Sequence, residues 1–171
     1  MDAFARAADG QLVFTLFAGN AEVLELLMRE LAMFLRSPEP DARATDRLFP
    51  RAYLDPTEDT SEREWQSLVH DDLVRNKLAA FDGVAGRLAS ATPGTDGLVR
   101  ITLTAEQEGE LLLAVNDARL TLAALAGEEP EPSMLADWLL DLIAELSELQ
   151  LAELPEVTDD DEEQPPDALP D

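Results

Sequence analysis

Two short stretches of this chain repeat every second residue, and each gives way to a longer stretch with a helical repeat. In LVFTLF (residues 12–17), Leu12, Phe14 and Leu16 share one strand face while Val13 and Phe17 fall on the other. In residues 98–104, Leu98, Arg100, Thr102 and Thr104 alternate with Val99, Ile101 and Leu103, which predicts a strand with one buried face. Asp9-Gly10 is a hairpin turn signal, so FARAADGQLVFTLF folds back on itself. Asn20 is then expected to N-cap a helix reaching about Arg36, with Leu24, Leu27, Met28, Leu31, Phe34 and Leu35 as its apolar stripe. Val23, Leu26 and Met33 broaden that stripe, which makes the helix either central to the core or half of a self-association surface.

The remaining segments are helical. A short helical turn is expected around Thr45 to Phe49, followed by an extended link punctuated by Pro50 and Pro56. Asp55-Pro56-Thr57-Glu58 and Ser61 with Glu64 are candidate capping boxes for a long helix reaching about Ala91. Its inner positions would include Trp65, Leu68, Val69, Leu73, Leu78, Phe81, Val84 and Leu88, before Thr92-Pro93-Gly94 breaks it. Thr104 with Gln107 opens a helix to about Ala126, stopped by Gly127, with Leu111, Val115, Ala118, Leu122 and Leu125 at helical spacing. Beyond Pro130 and Pro132, a last helix from Ser133 to about Glu153 aligns Leu135, Leu139, Leu142, Leu146 and Leu149, thickened by Trp138 and Ile143. The predicted fold is α+β and mostly helical, a small antiparallel sheet (the N-terminal hairpin plus a third strand) with about four main helices.

A chain of 171 residues can bury one substantial core. We expect a single globular domain over residues 1–153 and an acidic, Pro-containing, disordered tail over 154–171. Charge narrows the function classes. The chain has 37 acidic against 12 basic residues, a net charge of −25, and Glu128 to Asp171 holds sixteen acids without one Lys or Arg. Such a surface repels nucleic-acid phosphate and anionic membrane. No apolar run is long enough to span a bilayer, and MDAFARAADG lacks a signal-peptide pattern, so a cytoplasmic protein is expected. With no cysteine, disulfides, thiolate metal sites and Cys nucleophiles are excluded. Met1, Met28, Met33 and Met134 are expected to pack in the core.

No paired acid and base, phosphate loop, dinucleotide fingerprint or zinc motif is present, so no catalytic residue, cofactor or metal is expected. Asp55-x-Thr57-x-Asp59 lacks the glycine and the bidentate Glu of a calcium loop and is assigned to helix capping. His70, the one histidine, is assigned to a surface or half-buried polar position. Two constellations stand out. Asp137, Asp141, Glu145 and Glu148 run down one face of the last helix, as a solvated face or a dock for a basic partner. Asp72, Arg75, Asn76 and Lys77, with Asn116, Asp117 and Arg119 on the next helix, interrupt apolar faces; an interhelical ion-pair network is the expectation, a polar ligand pocket the alternative. Arg36, Arg43, Arg47 and Arg51 are the residues on which direct DNA binding would have to rest, partly cancelled by Glu39, Asp41 and Asp46.

DRLFPRAYLDP (46–56), DDLVRNKLAAFDG (71–83) and TLTAEQEGELLLAVNDARLTLAALAG (102–127) resemble the successive marked segments of the actinomycete oxidative-stress-sensing regulators, AosR, a bacterial family long catalogued as a domain of unknown function. Phe4, Gly10 and the Leu24 to Leu35 run look like its hairpin and first helix, so the similarity covers about residues 3 to 127. The resemblance implies a cytoplasmic regulator of transcription in the oxidative-stress response, working with an alternative sigma factor and not as an enzyme. It also implies a genomic setting near proteolysis-adaptor genes, which leaves an adaptor or scaffold linked to cytosolic proteolysis as an alternative. The thiol switch proposed for the family does not carry over, because MDAFARAADGQLVF has no cysteine. The expected partners are a protein, with a sigma factor as the candidate, and a second copy docked through the first helix.

Overall fold

In the computed structural model, β1 (Phe4–Arg6) and β2 (Leu12–Phe17) form the expected hairpin, with Gly10 at φ 84°, a conformation that favours glycine. The turn is closed by the Gly10 N–H on the Ala7 carbonyl at 2.9 Å and by the Gln11 N–H on Asp9 Oδ1 at 3.1 Å. The structure describes residues 3–53, 55–126 and 133–153. The tail beyond 153, the Gly127 stop, Pro130, Pro132 and Met1 lie outside the described residues. β3 (Leu98–Leu103) pairs antiparallel with the other edge of β2, giving the order β1-β2-β3 with Phe4 opposite Phe14 and Leu12 opposite Leu103. Leu12, Phe14 and Leu16 face inward with Phe4, Val99, Ile101 and Leu103, and the Phe4 and Phe14 rings stack at 4.5 Å. Leu98 is buried as well, so the alternation begins only after the first residue of β3.

The first helix, α1, spans Ala18–Arg36 and starts before the expected cap. Asn20 lies inside it. β2 feeds directly into the helix with Phe17 extended at the N-cap, and the Ala18 N–H is satisfied by the Gly97 carbonyl across the sheet at 3.1 Å instead of by a side chain. Ala21, Leu24, Met28, Leu31 and Ala32 face the core. Val23, Leu26 and Met33 do not join them: all three are exposed on the outward side, so the apolar character continues past the buried stripe. Met134 is exposed too, which leaves Met28 as the methionine that packs in the core among the described residues.

The short helix α2 (Ala42–Leu48) begins three residues before Thr45, because Asp41 accepts the N–H groups of Arg43 and Ala44. Asp55 takes the Thr57 N–H at 2.8 Å and opens a 3-10 turn at Pro56–Glu58 that runs into α3 (Asp59–Ser90). Ser61 and Glu64 therefore sit within the helix, and their capping box does not form. At 32 residues, α3 is about 48 Å long and outreaches α1, which packs on it with 19 residues. Its C-terminal half buries Ala80, Phe81, Val84, Ala85 and Leu88. The N-terminal half departs from expectation: Leu68 is exposed and Trp65, Val69 and Leu73 are half-buried, since no long helix covers them. What anchors that end is Glu62, a buried carboxylate that accepts the Gln66 side chain and the N–H groups of Ala52 and Tyr53.

The capping box of α4 (Ala105–Ala126) forms in both directions, Thr104 N–H to Gln107 Oε1 at 3.1 Å and Gln107 N–H to Thr104 Oγ at 3.4 Å. Ser133 Oγ caps α5 (Met134–Leu151), which buries Leu139, Leu142 and Leu146. Leu125, at the end of the α4 series, is exposed. α3 and α5 both pack on α4, and α2 packs on α4 as well. One cluster of buried residues runs from Phe4 to Leu146. The fold is α+β and mostly helical, as expected, and among the described residues α2 stands where the short helical turn was expected between the main helices.

Candidate functional site

Of the seven polar residues singled out on α3 and α4, Asn76 is exposed and the other six form three separate pairs. Lys77 and Asp117 meet across the helices at 2.6 Å with side chains 12% and 4% exposed. Asp72 pairs with Arg75 along the exposed side of α3 at 2.7 Å, and Arg119 donates to Asn116 within α4 at 3.1 Å. The expected network is thus one buried bridge and two local pairs. Helix geometry explains the split: residues three apart on one helix are neighbours, so these groups find a partner without crossing to the other helix. Around the bridge, the Lys77 ammonium lies 5.7 Å from the Phe49 ring, and His70 packs against that same ring at 5.0 Å. Burial raises the Asp117 carboxyl above its ordinary value, and the Lys77 ammonium partly opposes that rise. A second bridge between α3 and α4 joins Arg87 to Glu110, and Arg36 on α1 pairs with Asp82 on α3.

Arg6 organises a second site that sequence reasoning missed. It forks onto Glu108 of α4 at 2.7 and 3.1 Å and onto Glu153 after α5, while Gln150 donates to Glu108 at 2.8 Å. The Phe4 N–H adds a bond to Glu145 Oε1 at 3.2 Å. Together these tie α5 to the sheet. The hydrogen bonds to Glu153 and then Glu108 raise the Arg6 pKa, and the bond from Arg6 holds Glu153 below the usual carboxylate range. A signal existed: Glu108, Leu111, Val115 and Ala118 follow one helical line, which put a carboxylate in a buried row. What it would meet there was set by strand pairing.

The acidic stripe of α5 loses one member. Glu145 is half-buried and bonded to Phe4, whereas Asp137, Asp141 and Glu148 are exposed and form no ion pair among the described residues. Exposed Met134, Leu140 and Leu151 lie on the same outward side of the helix. Beside them, α4 and α5 enclose an open groove of about 440 Å³ lined by Gly109, Leu112, Leu113, Asn116, Ile143 and Ser147.

Of the four arginines considered for DNA, Arg36 pairs with Asp82, Arg43 with Asp41 and Arg51 with Asp59, leaving Arg47 without an ion pair among the described residues. Asp55 and Asp59 are spent on a cap and on Arg51, and no group of three or more His, Asp or Glu among the described residues could hold a metal ion. No helix among the described residues is long and apolar enough to cross a membrane.

A profile of the family described as a domain of unknown function, DUF2017, matches residues 1–171. No curated protein matches the chain. No solved structure does either.

Proposed function

The chain belongs to the DUF2017 family, and from that premise we propose that it is a non-enzymatic, cytoplasmic regulator of the oxidative-stress response that works by protein contact, with an alternative sigma factor as partner. The stress role and the sigma factor follow from the resemblance of its marked segments to the AosR regulators. The observation that carries the contact surface is the unanswered charge of α5. Asp137 and Asp141 stand one helical turn apart, a like-charge spacing that destabilises a helix by a few tenths of a kcal/mol. With Glu148 they form a row beside exposed Met134, Leu140 and Leu151, and α5 holds no basic residue. A partner with basic and apolar groups at helical spacing would answer both features.

Capture of purified alternative sigma factors by the full chain tests the proposal. The Asp137→Asn, Asp141→Asn, Glu148→Gln variant should capture less, and capture equal to that of the parent chain would remove α5 as the contact. The outward side of α1 favours a second contact, with a second copy of the chain, through exposed Val23, Leu26 and Met33 together with Phe17 at the end of β2. Light scattering that gives a monomer mass at tens of micromolar would end the dimer proposal.

A further inference from the structure

The groove between α4 and α5 contains a glycine that the chain's own packing does not require. Glycine inside a helix costs about 1 kcal/mol relative to alanine. Gly83 of α3 has an internal reason, since a Cβ there would come within 3.2 Å of the Arg87 guanidinium and 3.3 Å of Glu110. A Cβ at Gly109 would meet nothing within 4 Å, nor would one at Gly19 or Gly86, so what sets Gly109 apart is its place on the groove wall. Gly109 nevertheless sits in the second turn of α4, on the wall of the groove, facing open space between Leu112, Leu113 and Ile143. A helix surface stripped of its side chain beside apolar walls lets another backbone approach closely.

Successive positions around α5 place three strips side by side. Ile143 and Ser147 edge the groove, Leu140, Ala144 and Leu151 follow, and Asp137, Asp141 and Glu148 come next. An occupant that fills the groove therefore meets exposed leucines and then uncompensated carboxylates. We propose that this groove seats an amphipathic helix of a partner protein, its apolar side over Gly109 and its basic flank on Asp137, Asp141 and Glu148. The idea rests on the contact function above and specifies how the contact is made. Charge selects the occupant: a second copy of this chain, at −25, brings acid to acid, whereas a basic helix is drawn to the site.

The test uses the full chain and a designed helical peptide with Leu at helical spacing and Arg on one flank, followed by fluorescence anisotropy, with a scrambled peptide of the same composition as control. The designed peptide should bind and the scrambled one should not. Gly109→Leu fills the groove while leaving all three acids in place, and it should weaken binding by about tenfold or more with the circular dichroism spectrum unchanged. Leu140→Ser, at an exposed position, should weaken it as well and decides the matter if Gly109→Leu does not fold. Equal binding by both variants, or by the scrambled peptide, overturns the groove. A parent dimer converted to monomer by Gly109→Leu would give the groove to a second copy and overturn the proposal equally. Sigma-factor capture separates the two levels. Capture that needs the acids and ignores both groove substitutions sinks the groove alone, while peptide binding that responds to Gly109→Leu without any sigma capture sinks the partner and leaves the groove.

Discussion

The seam between α3 and α4 and the outer face of α5 both carry charge, and they treat it in opposite ways. At the seam Lys77 is answered across the helices by Asp117 and Arg87 by Glu110. On α5, Asp137, Asp141 and Glu148 stand in a row with no cation among the described residues. A buried charge without a partner costs several kcal/mol, so the fold cannot leave one there; an exposed carboxylate is hydrated and costs little. Paired charge therefore marks where the helices dock, and unpaired charge marks where something else can.

The seam offers the largest effect. Asp117→Ala should lower the unfolding free energy by about 3–5 kcal/mol in urea titrations, because it strands the Lys77 ammonium. Lys77→Met with Asp117→Leu should recover most of that loss, since replacing both partners removes the desolvation cost as well as the attraction. A double variant as unstable as Asp117→Ala would show that the bridge itself, and not the stranded charge, supplies the stability.

Lys77→Met alone exposes the electrostatics of the seam through pH. The native Asp117 carboxyl is raised above its ordinary 3.8, so between that value and its native value the folded chain holds a proton that the unfolded chain has released. Stability from this group accordingly falls as pH rises through that window. Without the opposing ammonium the rise is greater, and the destabilisation by Lys77→Met should grow as pH climbs from below 3.8. A penalty constant across that range would contradict the assignment.

Arg6→Ala should come next, at about 2 kcal/mol, by leaving the buried Glu108 with Gln150 as its remaining partner. Hydrogen exchange should show α5 loosening from the sheet before the α3–α4 seam does. The smallest effect has the opposite sign. Neutralising Asp141 and Glu148, which lie beyond the first turn where the helix dipole favours an acid, should raise stability by a few tenths of a kcal/mol while weakening partner capture. A variant that is less stable would place those acids among the structural charges and erase the contrast with the seam.

Much of the fold was legible locally. The hairpin with its Asp9-Gly10 turn, the reciprocal Thr104–Gln107 cap and the buried Leu139, Leu142 and Leu146 each follow from residues a few positions apart. The errors share a cause. Asn20 lost its cap role because the Ala18 N–H finds an acceptor in the Gly97 carbonyl, in the turn before β3, and Leu68 stayed exposed because α1 is too short to cover all of α3. The candidate site was half legible. The acids of α5 were visible as a stripe, but Glu145 left it for the Phe4 N–H, and Gly109 gained meaning only once α5 lay beside it.

The sequence alone carried the elements, the caps at Asp55 and Thr104 and the uneven distribution of charge, because each depends on periodicity and on neighbours within a turn or two. The tertiary structure decided which charges are answered. Arg6 meets Glu108 and Glu153 at separations of 102 and 147 residues, and Lys77 meets Asp117 at 40. No local rule fixes such pairings. They arise because burying the shared apolar faces sets the helix positions first, and the charges that this burial strands must then find one another.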